Sequence, residues 1–260
     1  MNVAAFFDID GTLVPSPSLE KRFLSYLRWR GAVGAANYAR WLRALLSTMN
    51  LPAADAAGGW EIFIARNKAY LEKVPVAAMD AWLAWLARHP IERIPEALRR
   101  MDWHARQGHR IFLLSGTLRP LADAVARLLP VPVEVCATEM ESMGGRYTGR
   151  VRGEAVCGPG KARAMERLAT EFSLDLARSY AYGDSYADRW MLERVGHPAA
   201  VQIAASPAWR LAWLARRRGW PVLQWSVASR EGGKIKRGDA EGAEGRREAA
   251  AIIGADGRSR

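Results

Sequence analysis

The sequence predicts an α/β protein: a doubly wound parallel sheet with helices on both faces, interrupted by an all-helical insertion. Three observations predict it. An apolar run, Val3 to Phe7, stops at Asp8-Ile9-Asp10-Gly11-Thr12, as a strand buried on both faces stops at the edge of a sheet. From Pro95 to Trp225, short apolar runs alternate with longer helical patterns, which is the signature of a parallel sheet with crossover helices. Between these two parts, residues 16–92 carry only helical spacing.

The elements follow in order. Val3 to Ile9 reads as strand one, and Pro15, Ser16, Pro17 and Ser18 break the pattern and open a helix. Helical segments are predicted near 18–29, 33–49, 57–72 and 76–89, punctuated by Gly31, Asn50-Leu51-Pro52, Gly58-Gly59 and Pro75. Trp29, Trp41, Trp60, Trp82 and Trp85 read as packing between these helices, with Trp82 and Trp85 on one face. Pro95 opens a helix closed by Gln107-Gly108. His109 to Ser115 is a buried strand, followed by Gly116-Thr117 and a helix to Leu129. Val131 to Cys136 is a strand, and Thr138 to Val151 a hairpin turning at Gly144-Gly145. A helix runs from Gly158-Pro159-Gly160-Lys161 to about Phe172. Ser179 to Tyr182 is a strand ending in Gly183-Asp184-Ser185-Tyr186-Ala187-Asp188. After a further helix, strand Ala199 to Ile203, helix Pro207 to Arg217 and strand Pro221 to Trp225 complete the body. From Ser229 on, glycines and mixed charges with little aliphatic content predict a disordered tail, apart from a short helical stretch around Ala240 to Ile253.

Composition narrows the function. Half of the 260 residues are hydrophobic and a quarter charged, ordinary for a globular protein. No apolar run is long enough to cross a bilayer, and no leader pattern opens the chain. Two cysteines, Cys136 and Cys157, make neither a disulfide framework nor a zinc spacing, so a reducing cytoplasmic setting is expected. The formal charge of +11 favours anionic partners: nucleic acid, a membrane surface or a small anionic substrate. The positive residues are scattered, with no zinc finger, RNP-like motif or basic-region helix, so nucleic acid is not an expected partner.

Four polar sites fall at comparable places. Asp8 and Asp10 follow strand one; two apart on extended backbone, they project to one side. Two close carboxylates call for a cation, and carboxylate oxygen suits Mg²⁺. Ser115-Gly116 ends the next buried strand, Asp184 and Asp188 follow a later one, and Lys161 lies just inside a helix start. An Asp-Gly turn, a strand-end serine, a capping aspartate or a solvated first-turn lysine is ordinary alone. In a doubly wound sheet, however, neighbouring strand ends open on one crevice. A lysine at a helix start opposes the helix dipole and is easier to understand beside an anion. A Walker nucleotide loop does not fit, because Ala162 rather than Ser or Thr follows Gly160-Lys161. His89, His104, His109 and His197 have no metal spacing and read as structural or exposed. Together the four sites suit a phosphate and a metal ion.

The set Asp8-Ile9-Asp10-Gly11-Thr12, Leu114-Ser115-Gly116, Lys161 and Gly183-Asp184-Ser185-Tyr186-Ala187-Asp188 resembles, in order and spacing, the haloacid dehalogenase superfamily of phosphatases. It is most similar to the phosphoserine phosphatase-like branch. The resemblance implies a Rossmann-like core, residues 1–15 and 93–228, with a helical cap, residues 16–92, inserted after the first strand; residues 229–260 remain the tail. It implies a Mg²⁺-dependent phosphomonoesterase acting on a small phosphorylated metabolite through an aspartyl-phosphate. Asp8 would be the nucleophile and Asp10 the general acid and base. Mg²⁺ would be held by the Asp8 and Asp184 carboxylates and the Asp10 main-chain carbonyl, with Asp188 orienting metal-bound water or Lys161. Ser115, the Gly116 N–H and Lys161 would bind the phosphoryl group. The family glutamate that reads the amino group of phosphoserine falls at Pro17, with Glu20 out of register, so phosphoserine is not carried over as substrate. The same residues serve a phosphotransferase, and a non-catalytic basic binding protein on this fold is a third reading.

Overall fold

The computed structural model describes residues 2–48, 66–203 and 209–227. Residues 1–227 form one compact unit; the tail expected after Ser229 and the helical stretch at Ala240 to Ile253 lie outside the described residues. Strand β1 (Ala4–Phe7) is the axis of the molecule. Four residues suffice because each is apolar and the side chains alternate. Ala4 and Phe6 enter one core with Phe112, Leu114 and Ala181. Ala5 and Phe7 enter another with Ile111, Leu113 and Tyr182. Phe6 stacks on Phe112 at 5.2 Å between centroids, and Phe7 on Tyr182 at 4.6 Å.

Around β1 stand β2 (Arg110–Leu118), β3 (Glu134–Thr138), β6 (Tyr180–Gly183), β7 (His197–Ile203) and β8 (Val222–Trp225), in the order β3-β2-β1-β6-β7-β8 and all parallel. A separate antiparallel hairpin joins β4 (Met140–Met143) and β5 (Arg146–Val151) through the Gly144-Gly145 turn. The doubly wound parallel sheet is therefore present, and the order reverses on either side of β1, which opens a crevice at its carboxyl end.

The described part of the insertion holds α1 (Leu19–Trp29), α2 (Ala35–Thr48) and α3 (Val76–Arg88). Leu19, Phe23, Leu27, Trp82 and Leu86 join the same core as Phe7 and Leu113. The helix expected at 57–72 lies largely outside the described residues, and its described end is a short 3₁₀ turn, Ala69–Leu71. Side chains explain the difference. Asn67 Oδ1 accepts from the Ala69 N–H, and Asn37 Nδ2 donates to the Tyr70 and Glu72 carbonyls, taking groups a helix would use. Trp82 is buried and Trp85 stacks on it, but Trp29 is about half exposed, so not every tryptophan there is core; Trp60 lies outside the described residues.

The remaining helices are α4 (Pro95–Arg106), α5 (Arg119–Ala126), α6 (Pro159–Phe172), the single turn α7 (Arg189–Leu192) and α8 (Trp209–Arg218). Several strand boundaries differ from expectation: β1 ends at Phe7 rather than Ile9, and β7 starts at His197 rather than Ala199. β2 continues through Ser115 to Leu118, with a register shift between those residues. β3 starts at Glu134 rather than Val131, because Pro130 and Pro132 offer no N–H to the ladder. No described helix is long and apolar enough to cross a membrane.

Candidate active site

The chain leaves the sheet at Asp8, whose N–H donates to the Tyr182 carbonyl at 3.0 Å, and turns at once. Gly11 makes the turn with φ +90°, and a Cβ there would overlap the Asp184 carboxylate; only glycine permits both. Asp184 follows β6 and comes to Asp8 because β6 pairs with β1. A Cβ at Gly183 would likewise collide with Asp188, so that side chain folds back beneath its own strand end.

Lys161, at the start of α6 and only 3% exposed, is the hub. Its Nζ donates to Asp8 Oδ1 at 2.5 Å and to Asp188 Oδ1 at 2.6 Å. The unfavourable position against the helix dipole is thus compensated by two carboxylates. Asp188 Oδ2 accepts from the Ser185 N–H and hydroxyl at 2.9 and 2.8 Å, so this residue both caps its turn and holds the lysine. One oxygen each of Asp8, Asp184 and Asp188 lie within 4.8 Å of one another.

Three carboxyls, those of Asp8 and Asp188 buried and that of Asp184 partly so, lie beside the Lys161 ammonium. Burial pushes the Asp8 and Asp184 carboxyls well up, with neighbouring aspartates adding repulsion and Lys161 opposing it. Burial disfavours charge on Lys161 too, but Asp188 and Asp8 hold it well above the ordinary lysine range. Ionising all three carboxyls together is therefore disfavoured unless a further cation joins Lys161. Asp184 Oδ1 is buried without a hydrogen-bond partner among the described residues. An all-oxygen set with an orphaned carboxylate oxygen fits a hard divalent cation.

The Asp10 carboxylate stands apart from that set. Its Oδ1 accepts from the Leu19 N–H at 2.7 Å, at the first turn of α1. Burial raises its carboxyl to about 6, the Leu19 bond lowering it and the charge of Glu20 raising it. Asp8 and Asp10 thus do not project as an extended pair would: one meets Lys161, the other a helix start. Ser115 is buried and its Oγ accepts from the Thr117 N–H at 3.2 Å, leaving the hydroxyl hydrogen free to donate. Gly116 sits against Cys157, where a Cβ would come within 3.1 Å of the cysteine Cβ.

Other residues arrive that the motifs did not mark. Thr12 and Thr117 are buried, and neither hydroxyl has a hydrogen-bond partner. Thr12 lay inside the Asp-Gly-Thr stretch and could have been read as part of the site. From the insertion comes a closed trio. Glu20 Oε2 accepts from the almost fully buried Lys68 Nζ, and Glu20 Oε1 from the Tyr70 hydroxyl, both at 2.5 Å. Lys68 also bears on Asp10 and, with Arg66, on Cys157, whose thiol burial pushes up. No spacing in the sequence signals Lys68 or Tyr70; only the packing of the insertion brings them here. Two grooves of about 470 and 810 Å³ flank β3 and contain none of these groups.

A doubly wound sheet with an acid-and-lysine cluster at its carboxyl edge defines a class, that of enzymes handling phosphoryl or related anionic groups. The haloacid dehalogenase-like hydrolase family matches residues 5–193, and the chain belongs to that family. It is similar to a phosphoserine phosphatase of Mycobacterium tuberculosis, 35% identical over 237 residues covering 88% of this chain and 72% of that protein. A probable phosphatase of the same organism is 30% identical, covering 86% and 75%. Among solved structures, a protein of unknown function from Bordetella pertussis Tohama I shares 28% identity with a TM-score of 0.65, covering 85% of this chain and 98% of that one. A phosphoserine phosphatase in a phospho-aspartyl intermediate analogue form shares the fold, with a TM-score of 0.54 at 15% identity, covering 87% and 93%. The chain is accordingly an enzyme, a phosphatase of the phosphoserine phosphatase-like branch, and phosphatases of this family typically use a metal ion. The reading as a non-catalytic basic protein is set aside.

Proposed function

We propose that this chain is a Mg²⁺-dependent phosphomonoesterase that works in the cytoplasm on a small phosphorylated metabolite, with Asp8 as nucleophile and residues 16–92 as a cap over the site. The observation that carries this reading is the buried ammonium of Lys161 shared by Asp8 and Asp188, beside an Asp184 oxygen without a hydrogen-bond partner among the described residues.

Asp8 attacks phosphorus and the bond to the leaving oxygen breaks, giving an aspartyl-phosphate. Asp10, raised to about 6 and therefore able to carry a proton near neutrality, protonates the leaving oxygen. The same carboxylate then takes a proton from the water that hydrolyses the acyl phosphate. The Ser115 hydroxyl, the Gly116 N–H and Lys161 bind the phosphoryl oxygens and stabilise charge as it develops. The Asp8 and Asp184 carboxylates and the Asp10 carbonyl would hold Mg²⁺, with Asp188 fixing Lys161. When bound, the ion neutralises phosphate charge and the repulsion between the carboxylates.

Substrate choice falls to the insertion. Pro17 stands where the family's phosphoserine enzymes carry an amino-reading glutamate, and Glu20 is engaged by Lys68 and Tyr70. This supports a substrate other than phosphoserine. A screen of phosphorylated metabolites, including sugar, amino-acid, histidinol and lipid head-group phosphates, with and without Mg²⁺ and reading inorganic phosphate, tests the proposal. Release that requires Mg²⁺, with phosphoserine outpaced by another monoester, is the expected result. Metal-independent release, or phosphoserine as the fastest substrate, would contradict it.

A further inference from the structure

The catalytic reading leaves the formal charge of +11 and one face of α8 without a role. The helix Trp209–Arg218 buries Leu211, Ala212 and Ala215 against the sheet. Its opposite face presents Trp209, 72% exposed, and Trp213, 53% exposed, four residues apart and hence on one side. Arg210, Arg216 and Arg217 are exposed on the same helix, and the Arg217 guanidinium lies 4.8 Å over the Trp213 ring. Between Arg194 and Arg230 the sequence has arginines 210, 216, 217 and 218 and no aspartate or glutamate. Arg218 is paired with Glu193 at 3.2 Å, and the two exposed indoles with Arg210, Arg216 and Arg217 form a surface that is both apolar and cationic.

We propose that this face docks on an anionic phospholipid bilayer. Indole rings are favoured at the boundary between lipid headgroups and acyl chains, where one edge is apolar and the other wet. Arginines beside them add attraction to a negatively charged leaflet. The charge pattern disfavours other occupants. A second copy brings the same +11, and residues 228–260 carry eight basic and six acidic side chains, so neither complements the face. A single nucleic-acid strand is tracked by a positive groove with stacking rings, whereas these rings stand on the outer face of a helix. The face also adjoins the acid cluster. Arg210 lies 4.4 Å over the Tyr186 ring, in the turn between Asp184 and Asp188, so docking would bring the carboxyl edge of the sheet toward the lipid surface.

Sedimentation of the full chain with vesicles tests this, using phosphatidylcholine alone against phosphatidylcholine containing about 30% phosphatidylglycerol. The chain should pellet with the anionic vesicles only and be released by raised salt. The double variant Trp209→Ser/Trp213→Ser should partition at least about tenfold more weakly, with its thermal midpoint unchanged. Arg216→Gln/Arg217→Gln should lose most of the salt-sensitive part, giving an independent check should the tryptophan variant fold poorly. Absence of binding by the unaltered chain, or equal binding by both variants, would overturn the proposal. So would tryptophan-dependent binding to single-stranded DNA without binding to vesicles, which would make nucleic acid the occupant.

Discussion

Two clusters of polar side chains, each with a buried centre, lie at opposite ends of the strands of one sheet, and they are built differently. At the carboxyl edge, Asp8, Asp188 and Lys161 are buried and Asp184 partly so, three carboxyls meet the Lys161 ammonium, and Asp184 Oδ1, Thr12 Oγ1 and Thr117 Oγ1 have no hydrogen-bond partner among the described residues. Toward the amino ends of the strands, His104 Nε2 meets the Tyr182 hydroxyl at 2.9 Å and His104 Nδ1 meets His109 Nδ1 at 2.9 Å. Rings seal that second cluster: Tyr180 stacks on His109 and on His197, and Trp103 meets His104 edge-on. Burial lowers His104 and His109, His104 to about 3 with the neighbouring His109 and Arg100 adding to the effect. A buried polar cluster that closes on itself specifies a fold. One left open, with three carboxyls around one ammonium and orphaned oxygens, is arranged for something that is not part of the chain.

Substitutions at the open cluster should affect turnover most. Asp8→Asn should lower phosphatase turnover on the order of 10⁴-fold or more while leaving the circular dichroism spectrum unchanged; near-normal turnover would remove Asp8 from the nucleophile role. Asp10→Asn should cost about 10²–10⁴-fold with alkyl phosphates and far less with p-nitrophenyl phosphate, whose leaving group needs no proton. Equal losses on both substrates would break the assignment of the acid. Lys161→Met should cost about 10²–10³-fold in turnover. It should also lower stability by about 3–5 kcal/mol in metal-free urea unfolding, since it strands two buried carboxylates.

The closed cluster should behave in the opposite way, affecting stability and sparing turnover. His104→Phe should cost about 1–3 kcal/mol at neutral pH by stranding the Tyr182 hydroxyl, with unchanged turnover per folded molecule. The pH dependence has a definite sign. Because His104 has a folded value near 3, below the 6.5 of a free histidine, the unfolded chain takes up the proton first. Its contribution is whole above about pH 6.5 and should fall by up to about 1.4 kcal/mol for each pH unit below that, until about pH 3. His104→Phe should remove this part of the acid sensitivity in urea titrations across pH; an unchanged slope would show that His104 is not its source.

Local chemistry made much of this legible. The alternation of Phe6 and Phe7 into two cores, the glycine at the turn after Asp10 and the proline at the head of α6 follow from rules that span a few residues. The order of polar groups was enough to expect Asp8, Asp10, Ser115, Lys161 and Asp184 in one crevice; the fold brings Asp8, Lys161, Asp184 and Asp188 together there, while the Asp10 carboxylate is held apart by the Leu19 N–H. The failures are equally specific. The 3₁₀ turn at Ala69–Leu71 departs from the helical pattern because Asn37 and Asn67 claim its backbone groups. The exposure of Trp29 and Trp209 could not be distinguished from the burial of Trp82, because residue type records hydrophobicity and not which side of a helix finds a neighbour.

By itself, the sequence determined the parallel sheet with its flanking helices and marked the polar residues at its strand ends, because periodicity, turn chemistry and the doubly wound topology act over short spans or through one general rule. Tertiary structure alone decided that Lys161 bridges Asp8 and Asp188, that Asp10 is held by Leu19, that Glu20 is closed by Lys68 and Tyr70, and that Trp209 and Trp213 face outward. Those are contacts between residues up to 153 positions apart, or absences of contact. A pairing at that distance depends on how every intervening element packs, which no local pattern encodes.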